Sequence, residues 1–318
     1  MANLREATNN VEVIGTVKKV DLEEKKSKTG KDMIIGSVII EVKEENKVHN
    51  IKLKTFSMKL NKAGEVSGLF KGYKKVKDEY QVGDRVRATG SITLQEYYGQ
   101  DGSLKSFNEI KALFFNRLEG DEANVPDRAI ATVEMVIEGM TSEIENDVPT
   151  GNLIVDSFTV DYFGNIVVLH GLKIGEELGA QFQGLYFPGS TGKITFKINN
   201  YAEVSKEEIK TENVAGFGSQ EKVEENIVTN YTSEFLITGG DLPYNDGVNE
   251  YTAEEIEQAH KNRELALQQL QQDASPSVTP TTGFGQPAAG AEASKDDLTA
   301  AFTGGNTNTV SNGDIPAF

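Results

Sequence analysis

Basic and aromatic side chains alternate with apolar ones along short segments in the first third of the chain. This alternation predicts that Lys52, Lys54 and Phe56 share one face of a strand, and that Arg85 and Arg87 share one face of a later strand. Cations of this kind neutralise phosphates, and exposed rings stack on unpaired bases. These residues therefore predict binding of single-stranded nucleic acid, because duplex DNA hides its base faces.

Further candidate cations and rings lie in predicted turns, connections and strands. Tyr97 and Tyr98 fall in a glycine-rich hairpin tip, and loops often carry binding residues. The alternative is that the lysines solvate a sheet and the rings fill a core, which we expect of Phe70, Phe114 and Phe115. The other candidates for contact with the strand are Lys28, Lys31, Tyr73, Lys74, Lys75, Lys105 and Phe107.

Residue types that metal sites and covalent catalysis need are scarce. The chain has no cysteine, which excludes disulfides, thiolate zinc sites and cysteine nucleophiles, and its three histidines are far apart in sequence. Residues 187–194 resemble a phosphate-binding loop, but Phe187 replaces its first glycine and Ile194 its final Ser or Thr. We predict a protein that is not an enzyme and binds no metal or cofactor.

The net charge of the 318-residue chain is −17, but it is distributed unevenly. Residues 1–118 hold 22 basic and 16 acidic residues, whereas residues 119–318 hold 10 basic and 33 acidic ones. This asymmetry indicates a polyanion-binding module with acidic appendages, although chance variation for solubility is the alternative. The chain has neither a long apolar run nor an apolar signal-peptide segment, so we expect a cytoplasmic protein without membrane contact.

Period-two patterns in the first part of the chain predict five strands. Three strands precede an irregular connection over residues 59–81, in which Gly68 and Gly72 argue against a helix. Two strands follow, joined by the glycine-rich tip. This count and order are those of the five-stranded Greek-key barrel called the OB-fold.

The remainder of the chain predicts a second β-rich segment, then a helix and a polar tail. Thr252 and Glu255 form a capping box, and the helix carries a narrow apolar stripe that would suit either docking on a barrel or pairing with another chain. The predicted fold class is mainly β, arranged as an N-terminal five-stranded OB-fold barrel (1–118), a linker (119–128), a second OB-like β domain (129–250), a C-terminal helix (251–272) and a disordered acidic tail (273–318).

The last residues of the chain place an acidic group beside apolar ones. Phe318 could fill a pocket while its terminal carboxylate meets a basic rim, although an arbitrary terminus is an equal alternative. The residues of this candidate partner-binding tip are Asp314, Ile315, Pro316 and Phe318.

Three stretches of the chain resemble bacterial-type single-stranded DNA-binding proteins, in particular a phage-encoded member with tandem OB-like domains. The stretches are residues 11–31, residues 82–102 and the tip at 314–318. The resemblance implies sequence-independent binding and protection of single-stranded DNA in replication, recombination and repair, and a tip that recruits replication and recombination proteins. The chain departs from the family because Ala317 precedes the terminal Phe318 and because it has no tryptophan.

Two questions stay open at this point. The first is whether the chain forms a homo-oligomer or whether its second barrel replaces one subunit of the family's usual assembly. The second is function, because a structural or adaptor OB-fold protein of a replisome or virion, which never touches DNA, would share the same pattern.

Overall fold

The computed structural model describes residues 4–212, 221–245 and 247–274. Five strands near the N-terminus alternate buried and exposed positions, as the sequence predicts. A two-residue turn at Glu45 and Asn46, both with positive φ, joins the second strand to the third. The five strands are β1 (Asn9–Lys26), β2 (Asp32–Glu44), β3 (Lys47–Met58), β4 (Arg85–Tyr98) and β5 (Leu104–Arg117).

These five strands close into a barrel with OB-fold topology. The order around the barrel is β1, β2, β3, β5, β4, and β4 pairs with β1 to complete the circle. All pairings are antiparallel except β3 with β5, which is parallel. The interior is filled by apolar residues of every strand, among them Val13, Val38, Leu53, Ala88 and Ile110. The prediction of an N-terminal OB-fold barrel is confirmed.

A helix occupies the connection between β3 and β4, where the sequence analysis expected none. Helix α1 (Gly68–Glu79) buries Phe70, Tyr73 and Val76 against the barrel. Gly68 stands at the start of the helix and Gly72 on its exposed side, so neither glycine removes a packing contact. Burial of three large apolar side chains at helical spacing outweighs the roughly 1 kcal/mol that a mid-helix glycine costs.

A second closed barrel follows a linker that contains a short 3₁₀ helix (Gly120–Asn124). The order around it is β6, β7, β9, β11, β10, in which β9 and β11 are parallel and β10 closes on β6. This order repeats that of the first barrel and confirms the predicted OB-like character. The elements are β6 (Arg128–Glu145), β7 (Val148–Val160), β8 (Ile166–Val168), β9 (Leu172–Ile174), α2 (Glu176–Leu185), β10 (Thr191–Glu212) and β11 (Glu221–Gly240).

The two barrels are joined edge to edge by an antiparallel pairing of β1 with β6. The pairing runs from Asn9 opposite Val133 to Ile14 opposite Arg128, so all eleven strands belong to one sheet. One apolar cluster extends through both barrels. Beyond this seam, the backbone N–H of Asn200 donates a 3.3 Å hydrogen bond to Nδ1 of the buried His49. Burial lowers the pKa of His49.

The first and last described segments of the chain contact the second barrel. Arg5 forms an ion pair with the buried Glu134 and lies 4.8 Å from the ring centroid of Tyr251. Helix α3 (Ala253–Ala274) begins with the predicted capping box, in which the Glu255 N–H donates to Oγ1 of Thr252 at 3.2 Å. No helix in the described part of the chain is both long and apolar enough to cross a membrane. The predicted disordered tail lies outside the described residues from position 275 onward.

The close approach of β1 and β2 inside the first barrel depends on Gly36. Its φ is 149°, and a Cβ atom added there would lie 1.9 Å from the carbonyl oxygen of Asp21. We expect Gly36→Ala to lower the free energy of unfolding by about 2–3 kcal/mol, because the two strands must separate to admit the methyl group. Urea denaturation followed by circular dichroism measures this loss.

Gly72→Ala is the matched control for this change. Gly72 lies on the exposed side of α1, and an added Cβ there meets nothing within 4 Å. We expect this variant to be about 0.5–1 kcal/mol more stable than the parent chain. Equal stability of the two variants would contradict the role assigned to Gly36.

Candidate nucleic-acid interface

The outer surface of β3 carries the residues whose alternation first indicated binding. Ile51, Leu53 and Thr55 are buried inside the barrel, and the half-exposed residues between them point outward. The predicted common orientation of Lys52, Lys54 and Phe56 is therefore confirmed. Barrels of this fold bind oligonucleotides on the face of their second and third strands and through the loops that flank it.

Strand β5 continues this face beside β3. The parallel register sets Lys54 next to Lys111, and alternation along β5 places Phe107 and Lys105 on the same outer side. Lys111 was not among the candidates from sequence. The signal for it was present, because Lys105, Phe107 and Lys111 are separated by even numbers of residues. The face now comprises Lys52, Lys54, Phe56, Tyr97, Lys105, Phe107 and Lys111, and we call it the cationic face.

Two aromatic rings of the cationic face contact each other near the β4–β5 hairpin tip. The centroids of Tyr97 and Phe107 are 6.2 Å apart and the rings are nearly perpendicular, at 89°. Tyr97 is 45% exposed. An exposed ring held by a second ring offers a preformed surface on which a base can stack.

A buried carboxylate lies in the middle of the cationic face. Glu109 is almost inaccessible to solvent, and its Oε1 is 3.3 Å from Nζ of Lys54. The ion pair compensates the buried negative charge, since an unpaired buried carboxylate is costly. It also reduces the positive charge that Lys54 can offer to a phosphate, so Lys52 and Lys111 flank a partly neutralised centre.

The β1–β2 turn lies at the opposite end of β3 from the β4–β5 tip. Lys28 and Lys31 are both exposed there, in a turn closed by a 2.8 Å hydrogen bond from the Ser27 N–H to the Lys31 carbonyl. These predicted residues are thus placed at one edge of the cationic face. At the other edge, Nζ of Lys105 lies 3.7 Å from Oδ2 of Asp101.

Tyr73 does not belong to this face, contrary to the prediction. It is 1% exposed, and its hydroxyl donates a 2.6 Å hydrogen bond to the carbonyl of Ala112. Burial raises the pKa of Tyr73 to about 12. Gly68 and Gly72 concealed α1 in the sequence pattern, and the period of this helix places Tyr73 with Phe70 and Val76 on the buried side.

Arg85 and Arg87 point outward from β4 as predicted, but they lie away from the cationic face. Arg85 pairs with Asp127 and donates a 2.6 Å hydrogen bond to the carbonyl of Val125, which fastens the linker between the barrels. Arg87 lies 3.5 Å from Glu12, which also pairs with Arg128 of the second barrel. Both guanidinium groups therefore lie at the junction and not on the cationic face, and contact of these two residues with the strand stays a prediction.

Lys74, Lys75 and Tyr98 are also placed apart from the cationic face. Lys74 is on α1, where its Nζ pairs with Glu24 at 2.9 Å, and Lys75 is the exposed next residue of that helix. Alternation puts Tyr98 on the side of the β4–β5 hairpin opposite Tyr97.

The three phenylalanines that were expected in the core differ in burial. Phe70 is buried and Phe115 packs against the core, but Phe114 is 60% exposed. A bulge opposite Thr89 and Gly90 inserts one residue into β5, which turns Phe114 outward and Phe115 inward.

The candidate tip residues Asp314, Ile315, Pro316 and Phe318 lie outside the described residues. Within residues 4–212, 221–245 and 247–274, no group of three or more Asp, Glu or His side chains is arranged to hold a metal ion.

The two closed barrels define this chain as a tandem OB-fold protein. A family model described as YorF matches residues 7–273, which is most of the chain, and the protein belongs to the YorF family. No curated protein matches its sequence.

Two solved structures with similar folds are crystal structures of the single-stranded DNA-binding protein from Thermus aquaticus. The deletion mutant of that protein is 12% identical to this chain, and the match covers 78% of this chain and 98% of the other, with a TM-score of 0.46. The wild-type protein is 11% identical, and the match covers 76% of this chain and 95% of the other, with a TM-score of 0.46.

The contacts of Arg85 with the linker should stabilise the folded protein. We expect Arg85→Ala to lower the free energy of unfolding by about 1–3 kcal/mol, because Asp127 and two linker carbonyls lose a charged donor. Thermal or urea unfolding measures the change, and Lys28→Ala is the control because Lys28 is an exposed turn residue. A loss no larger than that of the control would show that the linker does not depend on this contact.

Proposed function

We propose that the first barrel binds single-stranded DNA without sequence preference, through the cationic face. The observation that carries the proposal is the placement of Lys52, Lys54 and Lys111 on the same outer surface as the exposed ring of Tyr97 and the half-buried ring of Phe107. Rings supply stacking surfaces for unpaired bases, and lysines follow the phosphates. Neither group reads base edges in a defined pattern, which accounts for the absence of sequence preference.

The overall negative charge of the protein is compatible with this proposal. Residues 1–118, which include the first barrel, contain six more basic than acidic residues, although the whole chain carries −17. Salt screens charges beyond about 8–10 Å, so a strand on the cationic face responds mainly to nearby lysines. Binding should weaken steeply as salt rises, because each phosphate contact releases counterions.

The proposal also includes the cellular processes in which the protein binds DNA. The resemblance noted from sequence supports a role in protecting strands during replication, recombination and repair. It also supports recruitment of partner proteins by the tip formed by Asp314, Ile315, Pro316 and Phe318. Removing the last five residues should then abolish partner recruitment while DNA binding persists.

An adaptor function without DNA binding is the second candidate. It is favoured by a groove of about 480 Å³ between α3 and the β7–β8 turn, in which apolar residues such as Phe163, Leu267 and Leu270 lie among polar and charged ones. Phe163 is 71% exposed there, and contiguous exposed apolar surface often marks a contact with another protein. In this case the lysines of the cationic face would serve solubility alone.

Loss of the Tyr97 ring tests the proposed stacking surface. We expect Tyr97→Ala to weaken binding of a fluorescent oligo(dT) by about 5- to 150-fold, which corresponds to roughly 1–3 kcal/mol for one stacked base. Phe187→Ala is the control, because Phe187 is 61% exposed on the second barrel. Fluorescence anisotropy at low salt measures both affinities. If the parent chain fails to bind at micromolar concentration, the DNA-binding proposal is wrong and the adaptor function is favoured.

Neutralising Glu109 should have the opposite effect. We expect Glu109→Gln to tighten binding of the same oligo(dT) several-fold, because Lys54 no longer pairs with a carboxylate and a negative charge leaves the path of the phosphates. The gain should shrink as salt is raised from 50 to 300 mM, as expected for a screened charge effect. A change that is independent of salt would indicate that Glu109 acts by shaping the barrel instead.

A further inference from the structure

The two barrels are structural repeats that share two strand irregularities at equivalent positions. The register shift between Val17 and Lys19 in β1 recurs between Ile137 and Gly139 in β6. The shift between Thr89 and Gly90 in β4 recurs between Thr195 and Phe196 in β10. These shared bulges allow the residues of one barrel to be matched with those of the other.

The matched positions include the ion pair at the centre of the cationic face. The parallel pairing of Leu53 with Ile110 corresponds to that of Leu172 with Phe235. Lys54 therefore corresponds to Lys173, and Glu109 corresponds to Glu234. The two pairs have similar geometry, because Lys54 Nζ lies 3.3 Å from Glu109 and Lys173 Nζ lies 3.1 Å from Glu234.

At the positions that match the other residues of the cationic face, the second barrel has neither a cation nor an aromatic ring. The same register replaces Lys52 with a glycine and Lys111 with a leucine, and it replaces the exposed ring of Tyr97 with a carboxylate. The corresponding residues of the second barrel are Gly171 for Lys52, Leu236 for Lys111, Asn230 for Lys105, Thr232 for Phe107 and Glu203 for Tyr97.

The lysines of the second face are Lys173 and Lys197, and each is held by two carboxylates. Lys197, which lies beside Leu236, pairs with Glu44 and Glu45 of the first barrel. Lys173 pairs with Glu143 as well as with Glu234, and Glu143 also accepts a 2.9 Å hydrogen bond from Nδ2 of Asn152. The hydrogen bonds from Lys173 and Asn152 lower the pKa of Glu143 to about 2. The centre of this face therefore carries a net negative charge at neutral pH, which repels a phosphate.

From these correspondences we infer that the chain binds single-stranded DNA through its first barrel only. The second barrel is a copy whose equivalent face rejects the strand, and Glu143 is the residue that reverses its charge. The inference rests on the proposed function and specifies which of two similar surfaces performs it. Each chain then holds one strand segment, with a length in the range of roughly 4–16 nucleotides that a single OB-fold covers.

Matched substitutions in the full-length chain test the inference. Lys54→Gln and Lys173→Gln remove the same charge from equivalent positions of the two barrels. Titration of each variant with labelled oligo(dT) of increasing length gives affinity, salt dependence and the number of strands bound per chain. Circular dichroism confirms that both variants are folded.

We expect Lys54→Gln to weaken binding about eightfold at 0.1 M salt. One phosphate contact contributes a slope of about 0.9 to the dependence of log affinity on log salt concentration, which is a factor of about eight between 1 M and 0.1 M salt. Lys173→Gln should leave affinity unchanged, and short oligonucleotides should bind one per chain. Equal weakening by both substitutions, or two short oligonucleotides per chain, would overturn the one-barrel inference while leaving DNA binding intact. Absence of binding by the parent chain would instead overturn the proposed function itself.

Discussion

The antiparallel pairing of β1 with β6 is the interaction on which the rest of the structure depends. Over residues 11–14, β1 is hydrogen-bonded to β4 on one side and to β6 on the other, so the same short segment closes the first barrel and joins it to the second. Val11 lies opposite Ala131, and the match between barrels relates these two residues to each other. An approximate twofold axis therefore passes through the seam, and each barrel presents its own first strand to the other.

This seam determines which surfaces remain available for binding. The side of the β4–β5 hairpin that carries Asn108 contacts the second barrel, where Nδ2 of Asn108 donates a 2.7 Å hydrogen bond to the carbonyl of Val168. Because neighbouring residues of a strand point to opposite sides, Phe107 is directed away from that contact. The junction thus fixes the orientation of the hairpin that carries the aromatic rings. The junction also holds Arg85 and Arg87 in ion pairs. Without these pairs, the two cations would extend the positive surface.

Much of the fold was predictable from the sequence because strand alternation is a local signal. The outward orientation of Lys52, Lys54 and Phe56 required only that Ile51 and Leu53 be buried. Features that depend on contacts between distant segments were not predictable in this way. The burial of Tyr73 depends on a helix stabilised by the barrel beneath it, and the exposure of Phe114 depends on a bulge set by pairing with β4. The partners of Arg85 lie about forty residues away, in the linker.

The seam between β1 and β6 also sets a limit on how the molecule can be divided. Severing the chain in the linker would leave the first barrel with an unpaired strand edge beside the fully buried Ile14. Such an edge is a template for pairing with other chains, and the symmetry of the seam means that β1 could pair with β1 of a second copy. A fragment that carries this open edge would therefore tend to associate with other copies of itself.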